Sequence, residues 1–492
     1  MNTHRATLLL VAALSTTSAC KRRPTQTQNN QGATDPSANG QAANGAPSNG
    51  ANAPTGPTIS GQTQGESSVR SVPPTPATGC PAQLANGALG PGTVHNATIN
   101  TNETWTLEGS PHRFPDGAVI AANTTVTVAP CAVVLVGSDH MFQIEAGGAI
   151  MAVGDAAHPI RFGSDKNDPQ AGDWDNIHFD EQARRSSRLA FVTIEHGGSD
   201  TGADVPSCLH NYLAGLDLQH VTIRACRGYG VFMQDNGTFS DTSTQLVVRE
   251  GVVSGASQAG AVHFSNPNSV RTLPEGTYSG NEVSEVFVRS GTVTSTGTWR
   301  NPGVRYRVAD DAELRVEGPA SPVLTIAPGT TIAFGSSANF TIGWDGDGAL
   351  TADGGSEASR ITFTAAAAEP NPGAWEGVFI GERAIRSRTK LAWVTISYAA
   401  GDSGYDNACP PSEQDNDAAL YLTAPLSADA VSHVKFTNLP ENTAAIGRTW
   451  AAGPTTSFAT PALGNDFAQS GNQCRQTPLR TAEGCADNAR CD

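Results

Sequence analysis

His178, Asp180, Glu181, Glu195 and His196 bring two imidazoles and three carboxylates into one short stretch of this 492-residue chain. These are the groups that β-elimination or glycoside hydrolysis uses as base, acid or calcium ligand. If they stand on successive coils of an elongated fold, they converge on one face. Their more ordinary role is the solvated surface of strands and turns. Asp345, Asp347 and Asp353, in WDGDGALTADG, set three carboxylates among glycines and are the candidate metal ligands, with calcium as the fitting ion. The spacing departs from an EF-hand loop, and turn aspartates commonly look the same. Asp402, Asp406, Asp415 and Asp417 invite the same reading. Cys208, His210, His220 and Cys226 offer zinc-type ligands, but without paired-cysteine spacing, and a Cys208–Cys226 disulfide is the stronger expectation. G-x-S-x-G, H-E-x-x-H, phosphate-loop and dinucleotide motifs are absent, and no cofactor other than calcium is expected.

The elements that would position these groups are short and β-like. Gly-rich, aromatic-poor composition favours many small strands, and pairs such as Val126/Val128, Phe142/Ile144, Ile160/Phe162 and Ile177/Phe179 alternate with period two between Gly, Asn, Asp and Pro. The pattern is written twice. VTVAPCAVVLVG, HPIRFGS, GDWDNIHF and RLAFVTIEHGG return about two hundred residues later as VLTIAPGTTIAFG, SRITFTA, GAWEGVFI and KLAWVTISYAAG. Pro130 answers Pro328, Gly137 answers Gly335, and Trp174 answers Trp375; the two tryptophans read as packing anchors. The candidate polar residues do not repeat: His178 is matched by Phe379, Glu195 by Ser397 and His196 by Tyr398. Two equivalent catalytic centres are therefore not expected. Coils of roughly two dozen residues cannot bury an apolar side alone, and stacking them builds one continuous core.

The run IAPGTTIAFG, GALTADG, RITFTA, GAWEGVFI and KLAWVTISYAAG resembles the coil pattern of right-handed parallel β-helix proteins with a pectate-lyase-like fold, often bacterial surface lipoproteins. The resemblance implies an all-β, right-handed parallel β-helix solenoid with an internal duplication. It leaves function open, since that fold hosts lyases, hydrolases, adhesins and proteins with no assigned activity. Pectate-lyase-like enzymes combine an acidic calcium cluster with an Arg or Lys base, a set that this sequence does not display.

The predicted order is a signal segment over 1–19, a lipidated Cys20 with a disordered tether to 79, the β-helix over 80–473 with halves near 104–245 and 298–447, and a Cys-rich cap over 474–492. His4 and Arg5 precede the apolar LLLVAAL, which is too short to span a bilayer, and Thr17-Ser18-Ala19-Cys20 resembles a bacterial lipobox with Thr17 where Leu is preferred. The tether is Asn, Gln, Gly, Ala, Pro, Ser and Thr, unable to bury a core, and reaches on the order of 45 Å as a random coil. With Cys20 lipidated, Cys80, Cys131, Cys208, Cys226, Cys409, Cys474, Cys485 and Cys491 form an even set for disulfides. A formal charge of −16 disfavours nucleic acid and polyanions. The expected partners are the membrane, through the lipid, and a polysaccharide or envelope protein. The expected address is the cell envelope, anchored to the outer membrane and facing the periplasm or exterior. Binding or structural support is the leading expectation. A polysaccharide lyase or glycoside hydrolase is the alternative, and a purely structural spacer the third reading.

Overall fold

The computed structural model describes residues 79–81, 90–199, 205–256, 258–403, 417–441, 443–448 and 457–469. Cys20, the signal and tether segments, Cys409, Cys474, Cys485, Cys491 and the 474–492 cap lie outside the described residues. Short strands there follow one another around a narrow core, with 3-10 turns and no α-helix among them. They pair in parallel into stacked sheets, one of fourteen strands, one of eight, two of six and one of five, which is the organisation of a parallel β-solenoid.

The fourteen-stranded sheet runs from Thr98–Ile99 to Asp466–Gln469 without interruption. Its register aligns Phe142, Ile177, Leu209, Val231, Val262, Val286, Tyr306, Ile332, Phe363 and Ile396 into one inward column. All ten are fully buried. Period-two alternation puts only one or two side chains of each short strand into the core, so burial accumulates coil by coil along the axis.

One corner is tighter than the rest. A residue in the left-handed region stands between two strands at Phe191, His220, Trp393 and His433, with φ between 51° and 53°. That conformation disfavours residues with a Cβ. Stacking between coils offsets the cost: Phe191 lies on His220 at 4.4 Å, and Trp393 on His433 at 4.1 Å, with nearly parallel rings.

The repeated segments do not occupy repeated positions. Val133–Val136 and Ile160–Ser164 belong to the eight-stranded sheet, whereas their counterparts Thr331–Phe334 and Ile361–Ala365 belong to the fourteen-stranded one. The 3-10 turn Pro267–Thr272 explains the shift. It packs between Thr238–Phe239, which ends one six-stranded sheet, and Gly291–Val293, which begins the other, and so fills the place of one strand. The winding stays continuous, but the second copy resumes one face later.

Disulfides Cys80–Cys131 and Cys208–Cys226 pin the N-terminal flank and the centre of the first half. Such bonds persist in oxidising compartments and point to an extracytoplasmic address. Cys131 stands where the second copy has Gly329, both at positive φ, so the cross-link holds a corner that glycine occupies elsewhere.

Trp174 and Trp375 are both fully buried. Each indole N–H donates to the backbone carbonyl of an equivalent residue, Glu195 at 2.8 Å and Ser397 at 2.9 Å. Trp375 also stacks on Phe334 at 4.3 Å. Replacing Trp375 with Ala is expected to cost about 3–5 kcal/mol, seen as a large drop in the urea midpoint of unfolding. A drop equivalent to less than about 1 kcal/mol would remove the anchor role.

Candidate functional site

The first-copy candidates divide between two sheets. His178 points outward from the fourteen-stranded sheet, 3.2 Å from Asp180, which also accepts a hydrogen bond from Gln143 at 3.1 Å. Glu181 is exposed on the following turn. Glu195 ends a strand of the eight-stranded sheet and His196 forms the corner after it, at φ 65°. The expected convergence on one face is therefore not what the winding produces: one circuit of the coil sends its two strands to different faces.

His178 is part of a ladder. Register places His178, His210, Phe232, His263, Phe287 and Arg307 in one outward row, on consecutive strands. Neighbouring ring centroids lie 4.7–4.9 Å apart, and the Arg307 guanidinium sits over Phe287 at 5.6 Å. Most of the row is buried beneath Val205 and Tyr229, which pack on it as a small external core. Burial lowers the pKa of His178 and drives that of His263 to about 3, so both imidazoles are neutral at pH 7. Their geometry is that of packing groups.

Glu195 is 1 % exposed and lies between Arg161 and Arg224, both in direct ion-paired contact. Arg224 reaches on to Glu250 at 3.4 Å. Burial alone would raise the Glu195 pKa, and the two guanidiniums overcome it and hold the carboxyl below its usual range. Such a carboxylate is an ionic tie between coils, poorly suited to taking up a proton.

The other expected ligand sets are dispersed as well. Asp345 pairs with Arg315 at 2.6 Å, Asp347 with Arg383 at 2.8 Å, and Asp353 with Lys390 at 2.7 Å. No metal-holding cluster of three His, Cys, Asp or Glu occurs among the described residues. Asp417 accepts from the Ser403 backbone and hydroxyl, while Asp406 and Asp415 lie outside the described residues. The sulfurs of Cys208 and Cys226 are joined to each other, His210 belongs to the ladder, and His220 occupies a corner.

A groove lies in the second copy, on the outward face of the six-stranded sheet from Gly291–Val293 to Ala444–Arg448. Glu313, Arg315, Asn339, Thr341, Trp344, Glu376 and Phe379 line it. Register sets Glu313 beside Asn339 and Arg315 beside Thr341, and Thr341 in turn beside Phe379 on the next strand. Trp344 stands at the turn after Asn339–Ile342 and is 37 % exposed, an unusual cost for an indole in this chain. One carboxylate fixes that turn: Glu317 accepts the backbone N–H groups of Trp344, Asp345 and Gly346 at 3.0, 2.9 and 3.2 Å. The bonds hold Glu317 ionised despite its burial.

Glu376 is the groove's distinctive acid. Its carboxyl accepts from the Asn339 amide at 2.8 Å, and among the described residues no cation is paired with it. Burial, with the charges of Glu313, Asp402 and Asp417 adding to it, raises its pKa to about 7. It follows Trp375, as Asp175 follows Trp174, and Asp175 is likewise pushed up by burial, to about 6. An acid after the buried tryptophan is thus a polar feature that both copies keep. The sequence carried the signal in GDWDN and GAWEG, but comparison of the His and Glu positions alone passed over it. The arrangement can hold a polar, flat-faced ligand by ring contact and hydrogen bonds, and can exchange a proton with it near neutrality.

No protein-family model, curated protein or solved structure matches this chain. Function is therefore read from the site.

Glu195→Gln is expected to destabilise the fold by about 3 kcal/mol at pH 7, because the half-buried Arg161 loses its counter-charge and the buried Arg224 is left with Glu250 alone. Since the folded carboxyl is more acidic than the unfolded one, its stabilisation is complete above about pH 4.5 and is lost as pH falls through the folded value. Urea midpoints measured from pH 7 to pH 3 should converge for the two proteins; a constant gap would refute the ionic tie.

Proposed function

We propose that this chain is a lipid-anchored cell-envelope protein whose right-handed, pectate-lyase-like β-helix binds a glycan on its flank. The observation that carries the reading is the groove that an exposed Trp344 indole lines together with Asn339, Thr341, Glu376 and Arg315. Sugars present an apolar face and a rim of hydroxyls. An aromatic platform takes the first, and planar amide, carboxylate and guanidinium groups take the second. The rigid parallel strands beneath keep these donors and acceptors in place, which lowers the ordering cost of binding. The overall negative charge selects against polyanionic polymers.

The lipid assignment rests on the signal-like first twenty residues and on the tether composition, supported by the disulfides. Two acyl chains suffice for stable anchoring, and a spacer of this composition would carry the folded part away from the surface.

Trp344→Ala in the full-length chain should weaken binding to oligosaccharides at least tenfold, about 1.4 kcal/mol, by calorimetry, while the thermal midpoint moves little. Equal affinity in the variant, or no binding to any glycan in a broad array, would sink the reading. Reducing or unsaturated ends appearing during incubation would replace binding by catalysis. Processing of the precursor should stop under inhibition of lipoprotein signal peptidase, and Cys20→Ser should abolish incorporation of labelled fatty acid; maturation that proceeds unchanged would remove the anchor.

A further inference from the structure

The loop that leads into each buried tryptophan has the same backbone in both copies and a different filling. Stretches 160–174 and 361–375 correspond residue for residue, with Pro169 answering Pro370 and Gly172 answering Gly373. Both glycines have positive φ, 85° and 78°. Asp173 and Ala374 each donate their backbone N–H three residues back, to Gln170 at 3.2 Å and Asn371 at 3.1 Å. Their carbonyls in turn accept from the backbone of Asp139 at 3.0 Å and of Ser337 at 3.3 Å.

In the first copy the Asp173 carboxylate plugs this loop. It accepts from the Ser164 hydroxyl at 2.9 Å, the Lys166 ammonium at 2.7 Å and the Gln170 backbone at 2.7 Å. The second copy lacks those charged and hydroxyl groups: Ala365, Ala367 and Ala374 stand for Ser164, Lys166 and Asp173. In their place is a cavity of about 370 Å³, whose lining includes Ser336, Ser337, Glu369, Asn371 and Ala374. That volume lies in the range of small-ligand sites, about 300–1,000 Å³. A loop without internal ties is freer to collapse, and Pro372, where the first copy has Ala171, opposes this by fixing a second φ beside Pro370. Arg305 holds the root of the loop, donating to the Ala366 carbonyl at 3.1 Å.

The cavity adjoins the groove. Ser337 and Ala374 line the first, and two residues further along the same two segments Asn339 and Glu376 line the second. Two residues of extended chain span at most about 7 Å. We propose that the cavity is a further subsite of the groove, seating one more uncharged ring of the same glycan. This rests on the glycan-binding reading above and gives the ligand a course, across the corner between the fourteen-stranded and six-stranded sheets. The Ser336 and Ser337 hydroxyls and the Asn371 amide supply donors and acceptors suited to ring hydroxyls, and a stiffened loop lowers the ordering cost. Glu369 is the only charged side chain in the lining, so no cation there meets an anionic substituent.

The test uses the full-length chain and four neutral series, β-1,4-glucan, β-1,4-mannan, α-1,4-glucan and β-1,4-linked N-acetylglucosamine, each as its two-ring and four-ring member. In the series bound best, calorimetry should show the four-ring member binding about tenfold tighter, the gain of one or two added hydrogen bonds. Restoring the first-copy plug with Ala365→Ser, Ala367→Lys and Ala374→Asp together should remove that gain and leave two-ring affinity unchanged, whereas Trp344→Ala should weaken both. Should the triple variant fold poorly, Ala367→Trp at the exposed rim blocks the same cavity without disturbing the core. Equal affinity for two and four rings, or a gain that survives a blocked cavity in a folded variant, overturns the subsite and leaves glycan binding in the groove standing. No binding in any of the four series overturns both.

Discussion

Everything in this molecule depends on the parallel hydrogen-bonded ladder that joins each coil to the next. A parallel ladder tolerates little slip, because shifting one strand by a residue would send its inward side chains to solvent and its polar ones to the core. Each coil must therefore present Val, Ile, Leu, Phe or a comparable residue at the same few points. The unbroken fourteen-stranded sheet shows the demand met from one end of the described region to the other. Where a polar side chain enters the interior, as Asn211 does, its amide is satisfied by the Leu213 backbone on both sides. The outward positions carry no such requirement, and diversity concentrates there.

The outer faces have been put to different uses. One holds the His and aromatic ladder, buried beneath a local external core; another holds the Arg161–Glu195–Arg224 tie; the third, in the second half, holds the groove. Rotation of the second copy by one face makes this division possible. A strictly repeated winding would have placed Asp175 and Glu376 above one another on one side. The single 3-10 turn Pro267–Thr272 separates them, so that equivalent acids meet unlike surroundings. Asp175 is sealed in at 2 % exposure, whereas Glu376 opens onto the groove that Trp344 also lines.

The ionisation states follow from the same geometry. Three carboxylates are buried or half-buried, yet they behave differently because their neighbours differ. Glu195 has two guanidiniums, Glu317 has three backbone N–H groups, and Glu376 has one amide and several like charges. The first two stay ionised and serve the fold. The third is left near its midpoint at neutral pH, which makes it the responsive group of the set.

Much of the architecture was legible beforehand. Period-two alternation, the paired Gly, Pro and Trp positions and the lack of helical windows determine a coil of short strands, because local pattern and burial need only neighbouring residues to be read. Trp174 and Trp375 could be recognised as anchors for the same reason. The sites were another matter. His178 and Glu195 look alike as polar residues on strands, and only the winding decides that they face different ways, one into a ring ladder and the other between two arginines. Trp344 looks like any aromatic residue after a strand until Glu317, from the preceding coil, is seen to fix its turn. The phase shift at Pro267–Thr272 has no signature in either copy, since it depends on how many strand positions the intervening chain fills. The repeat thus determined what each coil must bury, and the tertiary structure alone decided which side chains share a face, because that depends on the cumulative rotation of the whole chain.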